Sequence, residues 1–416
     1  MLIFLLFIIE FIVFIPVSKF STDLTPLLFI SINFLLTSYA LKFKVKTQFF
    51  HIIFAAYICR ILLLIANSYT GFLEYISPDS VVFQRVALAI FNNGGGEISN
   101  NYANFLSVIY SFVGPYKLIG QYVNALFGLG SIIGMAYILN EFNLSRKSGI
   151  IVMCIICFSP FSLIYDSSLL REAWVRFFIV WSIFYFIRWY KYGNIKNAII
   201  SIVCVLVSSY MHGGSLFICI GYLIAFSTYN VKSQKAVFSL KSIIVLAVIM
   251  AGSILLFSST DVFTNKVDRI MQSESLENTL SNFIRDSGRS AYLTWINPQN
   301  TTQIILYSPL KIFYFLFSPM PMNWQNVIDI AAFFTDSLVY FLLLWFIFKN
   351  KKIYRKCKPR IRYLTISLFF IIFVFAYGTW NSGTAIRHRT KILPLILTMY
   401  VVVKSEKEKM KTKILQ

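Results

Sequence analysis

The side chains able to do chemistry fall in a few short stretches. One is a basic run near the end of the chain, Thr384-Ala385-Ile386-Arg387-His388-Arg389-Thr390-Lys391. Asp166, Arg171, Glu172 and Arg176 lie close together mid-chain, and Asp79 and Arg85 share an earlier polar stretch. His212 sits in Tyr210-Met211-His212-Gly213-Gly214, and Arg285 and Arg289 follow in a later polar segment. Arginine forks hold phosphate oxygens bidentately and stay charged at any physiological pH. Such cations stabilise a diphosphate as it departs from a sugar. The acceptor hydroxyl then needs at most one general base, and Asp79, Glu172 and His212 are the candidates. Arg85, Arg171, Arg176, Arg285, Arg289, Arg387, His388 and Arg389 are the candidate phosphate- or diphosphate-binding groups.

Each of these has a plainer account. Glu172 and Arg176 stand four apart on one helical face, so an intrahelical ion pair explains them without a ligand. Asp79 suits a helix start, where the macrodipole favours an acid. His212 can simply cap a helix, although the Gly pair beside it favours close backbone approach. Arg285 and Arg289 can meet lipid headgroups, and Arg387 and Arg389 can be interfacial anchors. The other common chemistries have no residues to carry them. No Cys, His and Asp set has metal-ligand spacing, no Gly-rich loop follows a strand, and no Gly-x-Ser-x-Gly elbow is present. Neither a metal nor a soluble cofactor is expected.

The elements that must position these residues are apolar helices. The 416 residues are 57% hydrophobic and only 13% charged, against roughly 25% charged in soluble domains. The mean hydropathy is +0.70. About 20 apolar residues span a bilayer as helix, and twelve runs approach that length: 1–17, 25–41, 48–66, 118–139, 148–166, 171–187, 197–211, 214–228, 239–258, 325–348, 363–379 and 386–403. The first lacks a basic flank and a small-residue cleavage site, so it reads as an uncleaved span. The fold class is all-α, a polytopic transmembrane bundle of about 12 spans forming one integral-membrane domain over 1–416.

Charge orients that bundle. With the N-terminus inside, the cytoplasmic segments hold 24 of the 38 Lys and Arg but only Glu141, Glu406 and Glu408 among the 17 acids. They include a basic loop, 349–362, and a basic tail, 404–416. The remainder, with 14 basic and 14 acidic residues, is neutral, so the whole net charge of +21 lies on one side. That is the positive-inside pattern, and it accounts for the charge without a nucleic-acid partner. Two long segments, 67–117 and 259–324, then lie outside and read as carrying amphipathic helices. In the first, Ser77 and Pro78 predict a helix start. The run Arg387–Lys391 falls on the outer side, where cations are disfavoured, which points to an anion to bind and to an enzyme of the outer leaflet. Ionisable residues at membrane depth are costly, and Glu10 and Arg60 stand as the exceptions in otherwise apolar mid-span positions. None of the six cysteines falls in either outer loop, so no disulfide framework is expected there. Cys154-x-x-Cys157 reads as soft filler of an apolar helix.

Three stretches carry a family resemblance: Ser77-Pro78-Asp79 to Arg85, Pro160 through Tyr165-Asp166 to Arg171-Glu172, and Asn381-Ser382-Gly383-Thr384 with Arg387-His388-Arg389. Gly288-Arg289-Ser290 to Ser318-Pro319-Met320-Pro321 is similar too. In these the chain resembles the bacterial integral-membrane polysaccharide polymerases, the Wzy group, with similarity to EpsG-like proteins. The resemblance implies transfer of a growing glycan from undecaprenyl diphosphate onto a fresh lipid-linked repeat, making O-antigen, capsule or exopolysaccharide. It implies location in the cytoplasmic membrane with the site facing outside. The partners it implies are an undecaprenyl-diphosphate-linked oligosaccharide and membrane lipid, and it leaves open a chain-length regulator protein. The many spans and large outer loops are also GT-C-like, so a GT-C glycosyltransferase using a polyprenyl-phosphate sugar stays open as an alternative, with Asp79 as its acid. A lipid-linked oligosaccharide flippase is a second alternative.

Overall fold

The computed structural model describes residues 25–93, 100–231, 233, 235–236, 290–296 and 301–415. The stretches 1–17 and 239–258, together with Arg285 and Arg289, lie outside the described residues. What is described is all-helical but for one two-residue antiparallel ladder, Tyr229–Asn230 with Lys235–Ala236. Runs this apolar fold as helix because a helix satisfies its own backbone polar groups. Among the described residues three helices are long and apolar enough to cross a membrane, or up to five if each of two bent pairs is one span.

The chain forms two compact units, each with its own candidate groups: residues 1–180 with 210–212, and residues 181–209 with 213–416. In the first unit, α1 (Thr25–Lys44), α2 (Thr47–Thr70) and α6 (Lys117–Asn140) pack together, with α7 (Arg146–Phe158) against α2. Between α2 and α6 lie the short helices α3 (Phe72–Ile76), α4 (Asp79–Asn93) and α5 (Asn101–Val113). Gly71 ends α2 in the left-handed conformation, φ 66°, and its N–H closes on Asn67 O; a glycine takes that geometry at no steric cost. The start of α4 differs from expectation. The helix begins at Asp79, and the Ser77 hydroxyl donates back to Leu73 O. Ser77 therefore closes the preceding turn with its side chain.

The run 148–166 is bent by 47° where α7 gives way to α8 (Pro160–Asp166). Pro160 has no N–H to continue the ladder, and it stands at the first position of α8, where none is needed. The bend sets Asp166 at the end of a short helix ahead of the turn leading to α9 (Glu172–Tyr192), which runs on into the second unit. The helix α10 (Ile195–Met211) leads back to His212.

In the second unit, α11 (Ile218–Thr228), α12 (Thr301–Phe317), α13 (Val327–Ala332), α14 (Leu338–Lys349) and α15 (Lys351–Tyr377) surround α16 (Ser382–Leu415). A π-helical turn, Phe333–Ser337, separates α13 from α14; such turns re-aim side chains and recur at functional positions. The basic run read as a loop is instead the opening of α16, whose start is capped by Asn381 Oδ1 accepting from Thr384 N at 2.7 Å. The tail continues that helix to Leu415.

One glycine decides a helix crossing. A Cβ on Gly221 of α11 would overlap Ser367 Oγ and the Tyr363 carbonyl and stand 2.8 Å from Ser367 N of α15. Ser367 Oγ in turn donates to Ile218 O at 2.8 Å. Backbone atoms cannot swing aside, so Gly221→Ala is expected to cost ~1–3 kcal/mol as overpacking. A lowered thermal-unfolding midpoint of the detergent-solubilised protein checks this; an unchanged midpoint refutes it.

Candidate functional site

In the first unit, a carboxylate shared by two arginines anchors the polar cluster. Asp166 accepts from Arg60 Nε at 2.9 Å and from Arg176 Nη2. All three side chains are buried. Arg60 Nη1 also donates to Ala56 O at 2.9 Å and Cys157 O at 3.2 Å. Gly128 makes room, since a Cβ there would overlap the Asp166 carboxylate. Two guanidinium charges against one carboxylate leave an excess of one positive charge. Arg60 Nη2 and Arg176 Nη1 are buried with no hydrogen-bond partner.

Next to it, Asn124 clamps the turn that carries the predicted residues. Its Nδ2 lies 2.6 Å from Ser168 O, 2.8 Å from Leu170 O and 2.7 Å from Tyr102 Oη. Immediately after that turn come Arg171 and Glu172. Arg171 is half-buried and donates through Nη1 to Met211 O at 3.3 Å, one residue before half-buried His212. Asn101 Nδ2 donates to Tyr210 O at 2.6 Å, so α5 holds the same hairpin. Glu172 is buried and close enough to Tyr102 to act on it electrostatically. Burial pushes the Tyr102 phenol well above its usual pKa, the Asn124 hydrogen bond opposes this, and the charges of Tyr110 and Glu172 add to the rise.

Arg171, Glu172, Arg176 and His212, far apart in sequence, thus meet in one unit. The expected partner of Arg176 changes: its guanidinium turns to Asp166, ten residues back. That choice follows from the bend at Pro160, which brings α8 alongside. Asp79 and Arg85 are exposed, while the buried face of α4 presents Ser80, Phe83 and Ala87.

In the second unit, Arg389 is fully buried. Its Nε donates to Asp336 Oδ2 at 2.7 Å, Nη1 to Phe315 O at 2.8 Å and Nη2 to Ser337 Oγ at 3.3 Å. This guanidinium is spent on protein acceptors, which corrects its reading as a phosphate ligand. Arg387 and His388 stay half-buried. The His388 ring stacks on Phe375 at 4.7 Å, with Nδ1 3.0 Å from Lys391 Nζ. Lys311 is also buried, its Nζ 2.9 Å from the centroid of the Trp380 ring. Beside α16, Tyr292 is buried, and burial raises its phenol pKa above the usual value against the opposing charge of Arg389.

Reasoning from sequence missed Asp336 and Lys311 and passed over Arg60 and Asp166 as site members. The signal for Asp336 was present: it is the one acid between Ala331 and Phe348, and ionisable residues in such runs are rarely idle. No protein-family model, no curated protein and no solved structure matches this chain.

Proposed function

We propose that this chain is an integral-membrane polysaccharide polymerase of about 12 spans, working at the outer face on undecaprenyl-diphosphate-linked repeats. The observation that carries the reading is the meeting of Arg171, Glu172 and His212 on a turn clamped by Asn124. Arg171 is the accessible cation of that set and takes the diphosphate. The acceptor hydroxyl oxygen forms the new bond to the anomeric carbon as the bond to the diphosphate oxygen breaks. The leaving diphosphate keeps the electron pair, and its charge is met by the arginine. The hydroxyl proton passes to His212, the less buried of the two neighbouring bases. Glu172, buried beside Tyr102, orients that end of α9. Arg387 of the second unit is the other candidate cation.

A second reading has one observation in its favour. Buried charges in mid-helix, beside a helix broken at Pro160, are features of transport paths. A lipid-linked oligosaccharide flippase would use them so.

The test is a gel of lipid-linked and surface glycans from a strain lacking the gene, with a complemented control. The polymerase reading expects the long ladder to disappear while single repeats still arrive outside. A persistent ladder overturns it, repeats trapped inside favour the flippase, and a repeat one sugar short favours the GT-C enzyme. In the complemented strain, Arg171→Ala and Arg387→Ala are each expected to abolish the ladder with protein level unchanged. Full-length polymer in both variants would remove the arginines from the reaction.

A further inference from the structure

We propose that a cleft beside the start of α16 binds a neutral saccharide. It is lined by Ser290, Tyr292, Ser318, Asn323, Gln325 and Ser382, with Pro319 as an apolar surface, and its open volume is about 270 Å³. That is at the small end of ligand sites, so it takes one sugar residue of a longer chain. The chemistry of the lining selects the ligand. Hydroxyl and amide side chains both donate and accept, as a ring of sugar hydroxyls requires. None of the lining residues is charged, so an ionic ligand would be desolvated without a counter-charge.

The cleft is built rather than incidental. Ser290 O accepts from Ser382 N at 3.0 Å and Tyr292 N donates to Trp380 O at 2.9 Å, tying the 290–293 strip to the start of α16. From the opposite side, Ser337 Oγ donates to Ser318 O at 2.7 Å and accepts from Arg389 Nη2. The buried ion pair therefore braces the cleft wall while staying out of the cleft lining. Two hydroxyls of that lining, Tyr292 Oη and Ser318 Oγ, are buried without a hydrogen-bond partner. Buried polar groups in native proteins are nearly always satisfied, and a sugar hydroxyl satisfies both. Asn323 and Gln325 stand exposed at the mouth, where side-chain amides engage neighbouring hydroxyls. The proposal deepens the polymerase reading and rests on it only for the source of the sugar.

The experiment probes the purified full-length protein in detergent on an array of neutral and acidic bacterial glycans. The wild type is expected to bind neutral glycans. Tyr292→Phe and Gln325→Ala are each expected to weaken that binding by about tenfold, the worth of one or two hydrogen bonds. Tyr292→Phe deletes a hydroxyl with no protein partner, so its thermal-unfolding midpoint is expected to hold or rise, which separates lost binding from lost folding. Binding to no glycan, binding to acidic glycans alone, or equal binding by both variants overturns the proposal. If neutral binding is present and variant-sensitive while the strain lacking the gene keeps its ladder, the cleft stands and the polymerase reading falls.

Discussion

Asp166→Ala is expected to lose ~3–5 kcal/mol of stability, because removing one partner of a buried pair strands the other. Here it strands two. Arg60 and Arg176 are both buried, and Asp166 is the carboxylate they share. Asp166→Asn is expected to fail similarly, since an amide accepts hydrogen bonds but brings no charge. Arg60→Met should be milder, because Asp166 then keeps Arg176 as a one-to-one pair and the excess positive charge goes. The thermal-unfolding midpoint in detergent ranks the three. A midpoint for Asp166→Ala equal to wild type, or below it by less than for Arg60→Met, sinks the account. The effect reaches function through the turn after Asp166, whose carbonyls are held by Asn124 and which carries Arg171 and Glu172.

Arg389→Ala is expected to cost a similar ~3–5 kcal/mol, for the same reason in the second unit. Its guanidinium ties α16 to the π-helical turn through Asp336 and Ser337 and to the end of α12 through Phe315 O. Without it the Asp336 carboxylate is left buried with no counter-charge. Arg389→Lys should not restore stability, since an ammonium has no planar fork to serve these acceptors together. Asp336→Ala added to Arg389→Ala should recover part of the loss by deleting the stranded charge. The contrast with Arg387→Ala two residues away is the readout. Arg389→Ala should lower the amount of folded protein in the membrane, whereas Arg387→Ala should leave it unchanged. Equal protein levels in the two would mean that Arg389 is not the brace described.

Much of the architecture was legible because local chemistry decides it. Apolar runs became helices, Pro160 bent the one that contains it, and Gly71 ended another. The stretch around Arg171 and Glu172 was also rightly singled out as a place where charges gather. The reading of Arg387-His388-Arg389 as one uniform basic loop did not survive, because it is a helix opening. A helix turns by about 100° per residue, so neighbours face different ways. Arg389 points into the protein, while Arg387 and His388 stay half-buried.

By itself the sequence determined that this chain is helical, where its apolar stretches run, and on which stretches its acids, bases and guanidiniums sit. The tertiary structure alone decided which charge meets which. Arg60 finds Asp166 across 106 residues and Arg389 finds Asp336 across 53. A charge in a low-dielectric interior takes its role from whatever stands opposite it. At such separations that partner is chosen by how helices pack, which spacing along the chain does not encode.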